Sequence, residues 1–98
     1  MSKWRQAAKV DANQAGIVKQ LRRLGYSVSL GHDDILVGAN GKSYWFEIKD
    51  PDKALSKKTG ELLDSALKPS QMDLMNHWKG HYRVVWTLEQ ILADIAIS

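Results

Sequence analysis

The sequence contains no cysteine, only two prolines and no long hydrophobic run. Without cysteine, the chain has no disulfides, cannot bind zinc through thiolates and cannot use a thiol as a nucleophile. No apolar stretch approaches the roughly 20 residues that a membrane span needs, and the opening residues MSKWR lack the apolar core of a signal peptide. We therefore expect a cytoplasmic protein with no membrane partner.

The 98 residues, 44% hydrophobic and 26% charged, are typical of one globular domain covering 1–98. The net charge of +3 is unevenly distributed. Residues 1–31 contain six basic residues and one acidic residue, whereas residues 32–50 contain two basic and four acidic ones. An acidic centre in a basic chain indicates a cation site beside a polyanion site, although chance clustering of solvated charges explains the same distribution.

Hydrophobic periodicity predicts an α/β domain with a mixed sheet of about four strands flanked by helices, in the order αβββαβα. The predicted elements are a helix over 11–24, a strand over 26–30, a β-hairpin over 33–49 that turns at Asn40-Gly41, a helix over 69–79, a strand over 82–86 and a helix over 88–95. Residues 50–67 are less regular and include three lysines, which predicts a mobile basic loop with a short helical turn over 61–67. Trp78 and Trp86 are expected in the core.

The predicted hairpin brings two carboxylates together. In a pair of strands that turns at 40–41, Asp34 lies opposite Glu47, and Lys49 shares the face of Glu47 because side chains alternate. Two carboxylates and a backbone carbonyl, here that of Ile48, can hold Mg²⁺ or Mn²⁺, which promotes ionisation of a water and neutralises charge on a phosphate. Lys49 can position the attacking water. The alternative is a surface hairpin with a cross-strand Glu–Lys array.

Asp34 before an apolar run, followed at a hairpin's distance by Glu47-Ile48-Lys49, resembles the PD-(D/E)XK nuclease signature. The sequence is most similar to the small phage-type VRR-NUC nucleases and to archaeal Holliday-junction resolvases, over about residues 9–92. The resemblance includes LRRLGY at 21–26 and the later Trp78-Lys79-Gly80. It implies a restriction-endonuclease-like domain, and a homodimeric Mg²⁺- or Mn²⁺-dependent endodeoxyribonuclease selective for branched, junction or flap DNA.

The sequence departs from this family at two points, Asp33 and Gln14, whereas Gln71 matches it. Asp33 stands where the family often has proline, so either Asp33 or Asp34 could be the ligand, and Asp34 fits the register better. Gln14 stands where the leading helix of the family usually offers a glutamate; it could enter the site, or form a capping box with Asp11. By resemblance Gln71 lines the active site near the catalytic lysine, and a first-turn capping role is its alternative.

Phosphate binding requires cations around the acidic centre. The candidate phosphate contacts are Arg22 and Arg23 at the end of the leading helix and Lys53, Lys57 and Lys58 in the predicted loop. Ordinary solvated side chains are the alternative for each of them. A second hypothesis is a non-catalytic DNA-binding accessory protein that keeps the nuclease fold, which the glutamine in place of the helix acid would permit. A nuclease acting on RNA is a third.

Overall fold

A four-stranded sheet and its helices form the part of the chain that the computed structural model describes, residues 12–31 and 34–97. In chain order the elements are α1 (Gln14–Arg23), β1 (Ser27–Leu30), β2 (Asp34–Ala39), β3 (Lys42–Ile48), α2 (Pro51–Ala54), a 3-10 helix (Asp64–Ala66), α3 (Pro69–His77), β4 (Tyr82–Val85) and α4 (Leu88–Ala96). The chain is an α/β domain, as the periodicity predicts, with two short helical segments added between β3 and α3. Asp11 and Asp33 lie outside the described residues.

The sheet has the strand order β1-β2-β3-β4 and is mixed, because only the β3–β4 pair is parallel. Its central hairpin turns at Asn40 (φ 56°) and Gly41 (φ 78°), two successive residues in the left-handed region. A two-residue hairpin turn of this kind favours Asn-Gly at these positions. It sets the pairing of Asp34 with Glu47, so the predicted register of the hairpin is confirmed.

One face of the sheet carries the hydrophobic core. Helix α1 buries the face predicted from its periodicity, and α4 packs beside it. The buried cluster comprises Ile17, Val18, Leu21, Ile35, Val37, Tyr44, Phe46, Ile48, Val85, Ile91 and Ile95. Because side chains alternate along a strand, the intervening residues Asp34, Trp45 and Glu47 lie on the opposite face.

The segment predicted as a basic loop contains more regular structure than expected. The 3-10 helix at Asp64–Ala66 lies within the predicted helical turn over 61–67, whereas α2 and an isolated bridge were not predicted. Asp50 caps α2, its side chain accepting a hydrogen bond from the Asp52 backbone N–H at 3.0 Å. An isolated antiparallel bridge joins Leu55 to Leu62. Ser56 Oγ accepts from two backbone N–H groups inside that bridge, each at 3.2 Å. Such local capping bonds give no signal in hydrophobic periodicity. The mobility of the segment stays a prediction.

The predictions for α3 are partly wrong. The helix ends at His77 rather than at residue 79, and Trp78, expected in the core, is 52% exposed. Met72 and Met75 are also exposed. Periodicity identifies residues that share a face of a helix, but it does not show whether another element covers that face. Trp86 is partly buried.

Candidate metal centre

Asp34 and Glu47 are paired across the β2–β3 ladder, at the closer of the two kinds of position in an antiparallel pair. The Lys49 N–H donates to the Val85 carbonyl on β4 at 2.9 Å. Backbone hydrogen-bonding groups alternate sides along a strand, so those of Glu47 also point to β4 and away from β2. Asp34 and Glu47 therefore form a non-hydrogen-bonded pair, whose Cα atoms are typically about 4.5 Å apart with side chains closer together than in the other kind of pair.

The Ile48 carbonyl points towards the strand that carries Asp34. The amide joining Ile48 to Lys49 is trans, as are the other described peptide bonds. In a trans peptide the C=O and N–H point in opposite directions. Since the Lys49 N–H points to β4, the Ile48 oxygen points to the β2 side. We use the term candidate metal centre for the carboxylates of Asp34 and Glu47 together with this carbonyl.

Glu47 and Lys49 form a buried ion pair. Lys49 Nζ lies 3.8 Å from Glu47 Oε2, and the two side chains are only 13% and 4% exposed. A carboxylate withdrawn from water this far is costly unless a positive charge or hydrogen bonds compensate it. The lysine supplies that charge, so the pair is part of the interior rather than the solvated surface array considered as the alternative.

The Asp34 carboxylate is hydrogen-bonded through one oxygen, and the other occupies space that a side chain at residue 31 would fill. Trp45 Nε1 donates to Asp34 Oδ2 at 2.6 Å. The other oxygen, Oδ1, lies over Gly31, where an added Cβ would approach it to 2.4 Å. The Gly31 N–H also donates to the Asp34 backbone carbonyl at 3.1 Å. An indole donor and a residue without a side chain thus set the orientation of the carboxylate, and neither follows from the motif.

Helix α1 begins beside the ends of β3 and β4. The side-chain Nδ2 of Asn13 donates to the carbonyls of Lys49 (3.0 Å) and Trp86 (3.1 Å). Asn13 is the N-cap residue but makes no capping bond to its own helix. Its Oδ1, the atom that would accept such a bond, is buried without a hydrogen-bond partner among the described residues. Gln14 follows and is 6% exposed. Its Oε1 is buried and has no hydrogen-bond partner among the described residues, which makes it an available acceptor.

Gln71 has the capping role that the sequence allowed. Its Oε1 accepts a hydrogen bond from the Lys68 backbone N–H at 3.0 Å, and the residue is 5% exposed. This bond satisfies one of the backbone donors at the start of α3. A place for Gln71 beside the catalytic lysine stays a prediction.

His81 joins the edge of β3 to α4. Its Nδ1 accepts a hydrogen bond from the Trp45 backbone N–H at 3.2 Å. This bond takes the place of a further backbone hydrogen bond at the start of the parallel β3–β4 pairing. A neutral imidazole that accepts at Nδ1 carries its proton at Nε2, which donates to Asp94 Oδ2 at 2.9 Å. Arg83 also pairs with Asp94. The imidazole therefore fixes the backbone of Trp45, whose indole holds the Asp34 carboxylate.

The candidate phosphate contacts do not all lie near the carboxylates. The Arg22 guanidinium donates a hydrogen bond to the Val28 carbonyl at 2.9 Å. Helix α1 starts after Asn13 and rises about 1.5 Å per residue. Both Arg22 and Arg23 are exposed and lie roughly 13 Å along α1 from its contact with β3. The three lysines lie on the segment that leaves β3: Lys53 on α2, and Lys57 and Lys58 at the exposed tip closed by the bridge.

The sequence did not indicate the contacts of three residues around the site: Trp45, Gly31 and Asn13. Strand alternation places Trp45 on the face of Glu47, but it does not show that the indole reaches Asp34, which lies two positions before Leu36, the cross-strand partner of Trp45. Gly31 and Asn13 act through contacts that depend on how loops approach strands. Asn13 bonds partners 36 and 73 residues away, beyond the range of any local pattern.

Comparisons with protein-family models, with curated proteins and with solved structures find no match. Among the described residues, no group of three or more His, Cys, Asp or Glu side chains is placed to hold a metal ion. No helix in the described part of the chain combines the length and apolarity needed to cross a membrane.

Proposed function

We propose that the chain is a Mg²⁺- or Mn²⁺-dependent phosphodiesterase with a restriction-endonuclease-like fold, acting as an endonuclease on DNA. The observation that carries the proposal is the pairing of Asp34 with Glu47 on adjacent strands, with Lys49 in contact with Glu47. The observed α/β architecture with a mixed sheet is compatible with this fold, and the resemblance of the motif supports it.

The residues present fit a divalent cation that keeps several waters. Carboxylate and carbonyl oxygens are the ligands that Mg²⁺ prefers, and it is usually bound through only one or two carboxylates. Asp34 and Glu47 supply two carboxylates, and the Ile48 carbonyl points to the same strand. The buried, unpartnered Oε1 of Gln14 is a further neutral acceptor at the start of α1. Asp34, Glu47 and Ile48 would hold the ion.

A divalent cation would supply charge neutralisation on the phosphate and promote ionisation of the attacking water. The protein supplies the rest. Trp45 orients the Asp34 carboxylate through its indole N–H, in the way that hydrogen bonds to ligands tune metal sites. The Lys49 side chain is 87% buried and lies beside Glu47. Its fixed positive charge would stabilise the negative charge that develops on the phosphoryl oxygens. Water attacks the phosphorus without a covalent enzyme intermediate.

The substrate proposal combines charge and resemblance. The net charge of +3 and the exposed lysines on the segment after β3 favour a polyanion. Specificity for branched, junction or flap DNA and a homodimeric state rest on the resemblance to small nucleases. Arg22 and Arg23, at the far end of α1, would contact phosphates several nucleotides from the cleaved bond.

The experiment is cleavage of labelled four-way junction, flap and linear duplex DNA with Mg²⁺ or Mn²⁺. We expect wild-type protein to cut at least one of them, and Glu47→Gln and Lys49→Ala to lose nearly all cleavage. Glu61→Gln, at an exposed glutamate, is the matched control and should retain it. Full activity in Glu47→Gln would show that a contaminant or a different site performs the cleavage.

A non-catalytic DNA-binding protein is the second candidate function, and two observations favour it. Gln14 offers a neutral oxygen where the resembling family has an acid, and Gln71 is engaged in capping α3. Titration calorimetry with Mn²⁺ separates the two functions. A nuclease should bind Mn²⁺ and lose it in Asp34→Asn, whereas an accessory protein should bind DNA equally well in both proteins and show no Mn²⁺ binding.

A further inference from the structure

Trp78 is a large aromatic side chain that the fold leaves uncovered. It follows the last residue of α3 and is 52% exposed. Full burial of an aromatic side chain removes about 150–250 Å² of its surface from water, which stabilises the folded protein. An indole that stays half exposed contributes much less of this stabilisation.

The exposed indole is nonetheless held in one orientation. Trp45 contacts it edge-to-face, with ring centroids 5.4 Å apart and an interplanar angle of 88°. Gly80 lies against its Nε1: an added Cβ would stand 2.8 Å from Nε1, but 3.5 and 3.6 Å from the two ring atoms bonded to it. The absence of a side chain at residue 80 therefore leaves room for the indole beside Nε1. About half of the Trp78 side chain stays open to solvent.

Trp78 is also one side chain away from the candidate metal centre. The same Trp45 ring that contacts Trp78 donates its N–H to Asp34 Oδ2 at 2.6 Å. Trp45 is thus the side chain that joins Trp78 to the Asp34 carboxylate. A base on Trp78 would thus belong to a nucleotide close to a phosphate at Asp34.

We propose that Trp78 stacks on an unpaired nucleobase next to the phosphate bound at the candidate metal centre. Bases stack on aromatic side chains without sequence preference, because every base has a π-face. A base inside a duplex cannot offer that face without leaving the stack, so Trp78 would select nucleic acid with a single-stranded segment. The neighbouring Lys79 is exposed and supplies a cation for the adjoining phosphate. This inference rests on the proposed function for its placement of the phosphate.

The test measures binding separately from cleavage. Fluorescence anisotropy in EDTA would compare labelled single-stranded DNA, single-stranded RNA of the same sequence, and blunt duplex DNA. We expect Trp78→Ala to weaken single-strand binding about tenfold, since stacking contributes roughly 1–3 kcal/mol per base, and to leave duplex binding unchanged. Trp78→Phe should retain most of the affinity. Leu24→Ala, at another exposed apolar residue (57%), is the matched control and should bind like wild type.

Gly80→Ala gives a second variant that keeps the indole but displaces it. It should also weaken single-strand binding, while circular dichroism confirms that each variant is folded. Equal single-strand affinity in Trp78→Ala and wild type would overturn the inference, even if the protein cleaves DNA. Loss of affinity in Trp78→Ala would support it, even if no cleavage is found, in which case the proposed catalytic function alone fails. A Trp78→Ala protein that changes only from dimer to monomer would assign the ring to a second copy of the chain and overturn the inference.

Discussion

Replacing Lys49 with methionine removes the positive charge from a carboxylate that stays buried. Lys49 Nζ lies 3.8 Å from Glu47 Oε2, and the glutamate side chain is 4% exposed. At this separation two charges interact by about 4 kcal/mol at an effective dielectric constant of 20. Asp34 on the neighbouring strand adds a second negative charge. Breaking a buried pair by removing one partner typically costs about 3–5 kcal/mol.

We therefore expect Lys49→Met to lower the free energy of unfolding by about 3 kcal/mol, a large fraction of the 5–15 kcal/mol of a typical domain. Urea denaturation in EDTA, followed by circular dichroism, measures the change without any metal. With a slope of roughly 1.5 kcal/mol per molar urea, the midpoint should fall by about 2 M. Lys53→Met, which removes an exposed lysine on α2, should stay within about 0.5 kcal/mol of wild type.

The double variant Lys49→Met/Glu47→Gln separates loss of the ion pair from loss of lysine packing. Because it also removes the buried charge, it should be more stable than Lys49→Met alone by about 1–3 kcal/mol. Two results would contradict this expectation: a loss of less than about 1 kcal/mol of unfolding free energy in Lys49→Met, or a double variant no more stable than the single one. Either result would mean that Glu47 is solvated or that another group compensates its charge.

Three further changes test the contacts around the carboxylates. Gly31→Ala should displace the Asp34 carboxylate and weaken Mn²⁺ binding at least about tenfold by calorimetry, whereas Gly16→Ala, with open space around its Cβ, should leave that affinity unchanged. Asn13→Ala removes two bonds to strand-end carbonyls and should lower the unfolding free energy by about 1–3 kcal/mol in urea titrations; an unchanged midpoint would contradict the contact. His81→Phe keeps an aromatic ring but leaves the Trp45 backbone N–H without its acceptor, so the unfolding free energy should fall by about 1–3 kcal/mol. In wild-type protein, ¹⁵N spectra should show the His81 proton on Nε2.

The fold was largely predictable because its signals are local. Periodicity identified α1 and α4, and the Asn40-Gly41 turn set the register of the hairpin and so the pairing of Asp34 with Glu47. In residues 50–67 the helical turn was predicted. Helix α2 and the isolated bridge were missed, since they depend on a cap and on local pairing rather than on an apolar pattern. The end of α3 and the exposure of Trp78 were missed because they depend on which surfaces the rest of the chain covers.

The sequence by itself determined which acidic side chains face each other, because strand alternation and a two-residue turn leave one register for the hairpin. Only the tertiary structure decided their environment. It buried Glu47 against Lys49, directed the Trp45 indole to Asp34, and set Gly31 under the same carboxylate. Those contacts join loops, strand faces and helix ends. Their geometry follows from packing in three dimensions, which no local pattern of residues encodes.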